Sequence, residues 1–216
     1  METILWQQHD FILCPEKALY WPAKKRLFVG DTHFGKAASF WKMGIPVPGN
    51  NTEEDCDRLG KLVQQTEAEA LVFLGDFLHA QVSKNETVRD TLLQWRKNFP
   101  ELKLHLVRGN HDLHSGDPWP ELEIQCHPDP WEMEDFDCRH IPIEQKSRPY
   151  LAGHTHPSYR LHSRGMNSIS SPCFVVSPEK IILPAFGSFT GTMKVNKTDG
   201  ETIYVTDGNE VIKIPS

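Results

Sequence analysis

Through the first half of the chain, short apolar runs bounded by glycine and polar turns alternate with amphipathic stretches. Residues 27–29, 70–74 and 102–107 are rich in apolar side chains, which predicts buried strands. Between the first two, residues 53–66 carry Cys56, Leu59, Leu62 and Val63 at helical spacing. Thr52 is placed to cap this helix, and Glu53, Glu54 and Asp55 suit the positive end of its dipole. A second helix is predicted over 84–98, opened by a capping box from Ser83 to Glu86, with Val88, Leu92, Trp95 and Phe99 as its buried stripe. Strand and helix in alternation predict a largely parallel sheet with helices packed on it.

The second half is patterned differently. Short β-rich runs fall at 135–141, 150–152, 173–176, 181–183, 192–195, 202–205 and 211–214. Turn signals at 198–200 and 207–209 separate the last three, which predicts a C-terminal antiparallel meander. Residues 44–50 and 114–120 are loops. No repeat, low-complexity tract or linker interrupts the chain, so residues 1–216 are expected to form one α/β domain.

Composition narrows the classes. With 38% hydrophobic and 24% charged residues, 216 residues suffice for a substantial core, which excludes disordered and fibrous proteins. The longest apolar runs fall far short of the ~20 residues that span a bilayer, and the amino terminus lacks the basic and apolar regions of a secretory signal. Five scattered cysteines without a Cys-x-x-Cys pair fit reduced thiols and exclude zinc fingers. A cytoplasmic protein without membrane contact is the expectation. The net charge of −6 argues against coating nucleic acid through charge alone. Histidine is the outlier, with 11 copies.

Four apolar runs end in glycine followed at once by metal-ligand residue types: Gly30-Asp31-Thr32-His33, Gly75-Asp76, Gly109-Asn110-His111-Asp112 and Gly153-His154-Thr155-His156. Each alone could be an ordinary turn. In open α/β sheets, however, ligands gather outside the carboxyl ends of the strands, so four such ends are expected to converge on one rim. Carboxylates, an amide and imidazoles make a mixed oxygen and nitrogen shell that suits Mn, Fe or Zn rather than Ca or a thiolate site.

These motifs resemble those of the calcineurin-like metallophosphoesterases. Further stretches at 18–22, 31–36, 44–48, 153–157 and 183–191 are similar to the DNA ligase-associated, PdeM-type metallophosphoesterases; Thr192 stands where that pattern has a second glycine. The resemblance implies a sandwich of two mixed β-sheets flanked by helices, and two divalent ions, Mn foremost. It implies that Asp31, His33 and His156 hold the first ion, that Asn110 and His154 hold the second, and that Asp76 bridges both. The remaining ligand of the second ion is His140 or His127, with His140 preferred because it ends an apparent strand.

Two cations about 3.5–4 Å apart need an anionic bridge, and a hydroxide generated between them can attack phosphorus in line. His111 is placed to protonate the leaving oxygen. Asp112 either orients His111 or caps a turn. Lys36 and Arg108 adjoin the motifs as candidate substrate contacts. Trp41 lies close to the rim in sequence, and His79 and His114 follow the motifs closely enough to line a cleft. His9, His105 and His162 lack motif context.

The expected activity is phosphodiester hydrolysis on nucleic acid, and the ligase-associated resemblance implies a DNA endonuclease or nuclease in repair, associated with a DNA ligase, a helicase and a nuclease. A phosphomonoesterase acting on small molecules or proteins uses the same ligands and stays open as an alternative. So does a non-catalytic scaffold of the same fold, although such relatives tend to lose the histidines retained here.

Overall fold

The continuous apolar runs have a direct structural cause, which is that their strands are covered on both faces. The computed structural model describes residues 1–144, 148–161 and 168–215. A seven-stranded sheet has the order β1 (Glu2–Trp6), β2 (His9–Cys14), β3 (Ala18–Trp21), β4 (Arg26–Val29), β5 (Ala70–Leu74), β6 (Lys103–Val107) and β7 (Ile124–His127). The first four strands pair antiparallel, and β4 to β7 pair parallel. Helices α1 (Lys36–Lys42), α2 (Asn51–Thr66), α3 (Glu86–Lys97) and α4 (Asn110–Ser115) fill the connections.

The second sheet is built from β8 (Trp131–Met133), β9 (Phe136–Cys138), β10 (Tyr150–Ala152), β11 (Pro157–Leu161), β12 (Ile169–Val176), β13 (Lys180–Ile182) and β14 (Met193–Val195), in the order β14-β11-β12-β13-β10-β9-β8. Strands β15 (Thr202–Thr206) and β16 (Val211–Lys213) branch from β12.

Alternation divides the strand residues between two cores. Leu27, Val29, Leu71, Phe73, Leu104 and Leu106 face outward against Leu59, Leu62, Val63, Val88, Leu92 and Trp95 of α2 and α3. Phe28, Val72, Leu74 and Val107 face inward against Phe136, Cys138, Leu151, Phe174 and Ile181 of the other sheet. Each fully buried large side chain contributes about 1.5–3 kcal/mol of transfer free energy. This two-sheet α/β sandwich is the expected class.

Several local expectations are corrected. No strand was expected before residue 27, yet β1 and β2 form a hairpin. Its turn is Gln7-Gln8, both at positive φ, so the usual glycine or asparagine signal is missing. The 192–195 run leaves the expected meander, because β14 pairs parallel with β11 while only β15 and β16 continue antiparallel from β12.

Neither expected helix cap serves its helix. Asn85, not Ser83, caps α3 through the Val88 N–H (3.1 Å). Ser83 Oγ donates to Gly35 O (2.9 Å), and Thr52 Oγ1 accepts from Gly35 N (3.0 Å), so both hydroxyls pin the loop that leads into α1. Asp55 turns inward and is 3% exposed, whereas Glu53 and Glu54 stay at the solvated first turn.

Lys17 is partly buried, with Nζ 3.4 Å from Gly187 O. Burial, reinforced by the Arg58 charge and opposed by Asp55, pushes its pKa down from 10.5 to about 8. Between those values the unfolded chain binds a proton that the folded chain has lost. Stability therefore rises with pH across this window, by up to about 1.4 kcal/mol per pH unit. Urea unfolding of the wild type and Lys17→Met from about pH 8 to pH 10 is expected to show the wild type gaining on the variant. A pH-independent difference would contradict this.

Candidate metal centre

Each of the four motifs leaves the carboxyl end of a strand: β4, β5, β6 or β10. Asp31, His33, Asp76, His154 and His156 all adopt left-handed backbone conformations, with φ between 46° and 70°. Non-glycine residues enter this region at a cost of roughly 1–2 kcal/mol each, and here the sharp reversals turn their side chains onto a common rim. The preceding glycines leave the space. A β-carbon on Gly75, itself at φ +82°, would clash with His140 Nδ1, and one on Gly153 would lie 2.5 Å from Asp31 Oδ2.

The structure brings Asp31, His33 and His156 together, with His156 Nε2 3.3 Å from Asp31 Oδ1 and 3.4 Å from His33 Nε2. It brings Asp76, His140 and His154 together in a second group beside the first. His140 Nε2 lies 3.0 Å from His154 Nδ1, 3.0 Å from Asn110 Oδ1 and 3.4 Å from Asp76 Oδ1. Asp31 joins the groups, since its Oδ2 accepts from His154 N (2.8 Å). Asp76 does so too, with Oδ2 3.7 Å from His33 Nε2.

The donor atoms fit divalent cations. His140 Nδ1 donates to Leu74 O (2.9 Å) and His156 Nδ1 to Gly191 O (2.9 Å), so in the neutral rings each Nε2 presents a lone pair to other acceptors. Asp31 Oδ1 is buried without a well-formed hydrogen bond. Burial, with the neighbouring charges of His156 and Lys36, drives the His33 pKa down to about 2. Burial with Lys36 and His111 drives His79 to about 4, and burial with His140 lowers His154. Neutral imidazole is the ligating form. At His156 burial acts downward but is outweighed by Asp31 and the Gly191 carbonyl, which raise the pKa. Burial raises Asp76. A cation among these atoms would supply positive charge to this shell.

The neighbouring residues separate clearly. His127 points elsewhere, with Nε2 3.1 Å from His105 Nδ1 and its ring stacked on Trp131 at 3.8 Å. His111 binds Asp76 Oδ1 through its backbone N–H (3.0 Å) and donates from Nδ1 to His79 O. Asp112 does not orient His111. Its carboxylate accepts from Gly109 N (2.8 Å), Asp76 N (2.7 Å) and Phe77 N (3.0 Å), tying β5 to α4, and burial pushes its pKa up to about 6.

Lys36 is half-buried beside His33 and His79, whose pKa values its charge lowers. Arg108 is not drawn into the cluster; its guanidinium forks onto Asp117 (2.6 and 2.7 Å). His79, set outside the expected ligand set, stacks on His111 at 5.0 Å and lies 3.4 Å from His33 Nδ1, so closeness to Gly75-Asp76 was its only sequence signal. His114 donates to Asn110 O within α4, and His9 meets Asp135 at the surface. Trp41 is 51% exposed, with Nε1 donating to Val47 O (2.9 Å). His162 falls outside the described residues.

Carboxylates, imidazoles and one amide gathered at the strand ends of a two-sheet sandwich define a metal-dependent phosphoesterase. Residues 24–206 match the calcineurin-like phosphoesterase family, and the chain belongs to that family. It is similar to the crystal structure of a Pseudomonas putida nuclease, MPE, at 37% identity and a TM-score of 0.85, with 99% of each chain covered. YfcE, a phosphoesterase from E. coli, aligns at 14% identity and a TM-score of 0.41, over 88% of this chain and 97% of that one. Comparison with curated proteins gives no match. Among the described residues, no helix is long and apolar enough to cross a membrane.

Gly75→Ala is expected to displace the His140 ring and to lower bound metal at least about tenfold while circular dichroism stays native. Elemental analysis of the purified protein checks this. A full metal complement would contradict it.

Proposed function

We propose that this chain is a two-metal phosphodiesterase acting on nucleic acid, a DNA endonuclease or nuclease in repair, with residues 1–216 working as one cytoplasmic domain. One observation carries the reading: Asp76 aims Oδ1 at His140 (3.4 Å) and Oδ2 at His33 (3.7 Å), so a single carboxylate serves both groups. Asp31, His33 and His156 would hold one ion, and Asn110, His140 and His154 the other. Asp76 would be shared, and Mn is favoured over Fe or Zn. Bound there, the ions supply Lewis acidity that offsets phosphoryl charge and makes water nucleophilic at neutral pH.

The chain's own groups supply the rest. Because His111 Nδ1 is committed to the His79 carbonyl, Nε2 carries a transferable proton only in the imidazolium form. From that form it would protonate the leaving oxygen. Lys36 would offer its charge to a phosphoryl oxygen; Arg108 would first have to release Asp117. The nuclease named in the 37% identical structure supports a nucleic-acid substrate. The ligase-associated resemblance supports the PdeM-type subfamily and a setting with a DNA ligase, a helicase and a nuclease. The five free cysteines suit a reducing compartment.

With Mn²⁺, the protein is expected to cleave an aryl phosphodiester and DNA faster than the matching aryl phosphomonoester, and Asp76→Ala to abolish both activities without unfolding. Full activity in the variant would overturn the proposal, and a strong monoester preference would favour the phosphomonoesterase. His111→Ala is expected to slow DNA cleavage by about 10²–10⁴-fold but an aryl ester, whose leaving group needs no proton, much less. Equal losses on both substrates, read from steady-state rates, would remove His111 as the acid.

A further inference from the structure

Asp55 stands outside every motif, yet it is buried at the start of α2 with its carboxylate fully engaged. Arg58 NH2 donates to Oδ1 (2.8 Å). Ser188 contributes its N–H (3.1 and 3.0 Å to the two oxygens) and its Oγ (3.3 Å to Oδ2). Arg58 also donates to Phe186 O and lies over the Phe186 ring at 4.2 Å. The pair therefore grips segment 186–188 from α2.

That segment leads into the metal centre along two routes. Phe186 N donates to Gly30 O (2.8 Å) and Gly187 N to Asp31 O (3.1 Å), so the backbone of Asp31 is held from outside; a β-carbon on Gly187 would lie 2.5 Å from Thr32 O. A few residues on, Gly191 O accepts from His156 Nδ1 (2.9 Å), and Met193 N donates to His156 O (3.0 Å). Thr190 Oγ1 closes the turn on Gly187 O (3.1 Å). A carbonyl held at Nδ1 fixes both the tautomer and the aim of a ligating imidazole.

From this chain of contacts we infer that Asp55, acting through Arg58 and Ser188, is a positioning residue for the Asp31–His33–His156 side of the centre, fixing loop 186–191 so that Gly191 orients His156. The inference rests on the two-ion reading. Asp55→Asn keeps the shape but removes the charge that holds Arg58. Titration calorimetry of the metal-free protein with Mn²⁺ is expected to show two sites in the wild type. In Asp55→Asn one site should weaken about tenfold or more while the other holds, and Glu53→Gln should change neither.

Nitrogen NMR of the histidine rings in the metal-free protein at alkaline pH, where the rings are neutral, is expected to show His156 as the Nδ1–H tautomer in the wild type and as a tautomer mixture in Asp55→Asn, a change that general loosening would not confine to one ring. Arg58→Met removes the nitrogen that donates to both Asp55 and the Phe186 carbonyl; it is expected to give the same split, and it carries the test if Asp55→Asn does not fold. Two sites in the wild type with both affinities unchanged in the variants, or both lowered equally, overturn this inference alone. Fewer than two sites in the wild type overturn the two-ion reading and this inference with it.

Discussion

The structure depends on a crowd of imidazole nitrogens packed around two shared carboxylates, Asp31 and Asp76. His140 Nε2 faces Asn110 Oδ1, His154 Nδ1 and Asp76 Oδ1, and His156 Nε2 faces Asp31 Oδ1 and His33 Nε2, all at 3.0–3.4 Å. Burial holds His33, His79 and His154 toward the neutral form, while at His156 burial is outweighed by Asp31 and the Gly191 carbonyl. In a site of low dielectric such groups persist together only with a cation between them or with a scaffold rigid enough to prevent their separation.

The scaffold provides that rigidity at several levels. Parallel strands β4, β5 and β6 end side by side, and the two aromatic-rich cores clamp them from both faces. Asp112 joins three backbone N–H groups across β5 and α4, and Thr52 and Ser83 hold Gly35 from opposite sides. These buried side chains spend their hydrogen bonds on backbone near the rim. The five left-handed non-glycine residues of the motifs at the rim are tolerated because their surroundings over-determine them.

The same geometry orders the candidate chemistry. Residues facing the rim, namely Lys36, His79 and His111, come from segments following β4, β5 and β6 in turn, whereas Arg108 is paired with Asp117 beyond α4. Adjacency in sequence to a ligand motif therefore separates the two cations poorly. What separates them is which neighbour each side chain meets.

The α/β class, the helix stripes and the convergence of four glycine-led motifs were legible in the sequence, because they follow from periodicity and from the rule that strand ends share a rim. The hairpin at Gln7-Gln8 was hidden, since its positive-φ residues carry no glycine or asparagine mark. The exchange of caps by Thr52, Ser83 and Asn85, the inward turn of Asp55 and the pairing of β14 with β11 were also out of reach, because a hydroxyl or carboxylate satisfies whichever backbone group folding brings nearest. Between His140 and His127 the sequence offered only position in a run. Tertiary structure separated them by burying one ring against Leu74 and Asn110 and stacking the other on Trp131, a choice made by packing across two sheets. The one-dimensional pattern determined which residue types reach the rim; only the three-dimensional contacts decided where each side chain points, since those contacts join residues far apart in the chain.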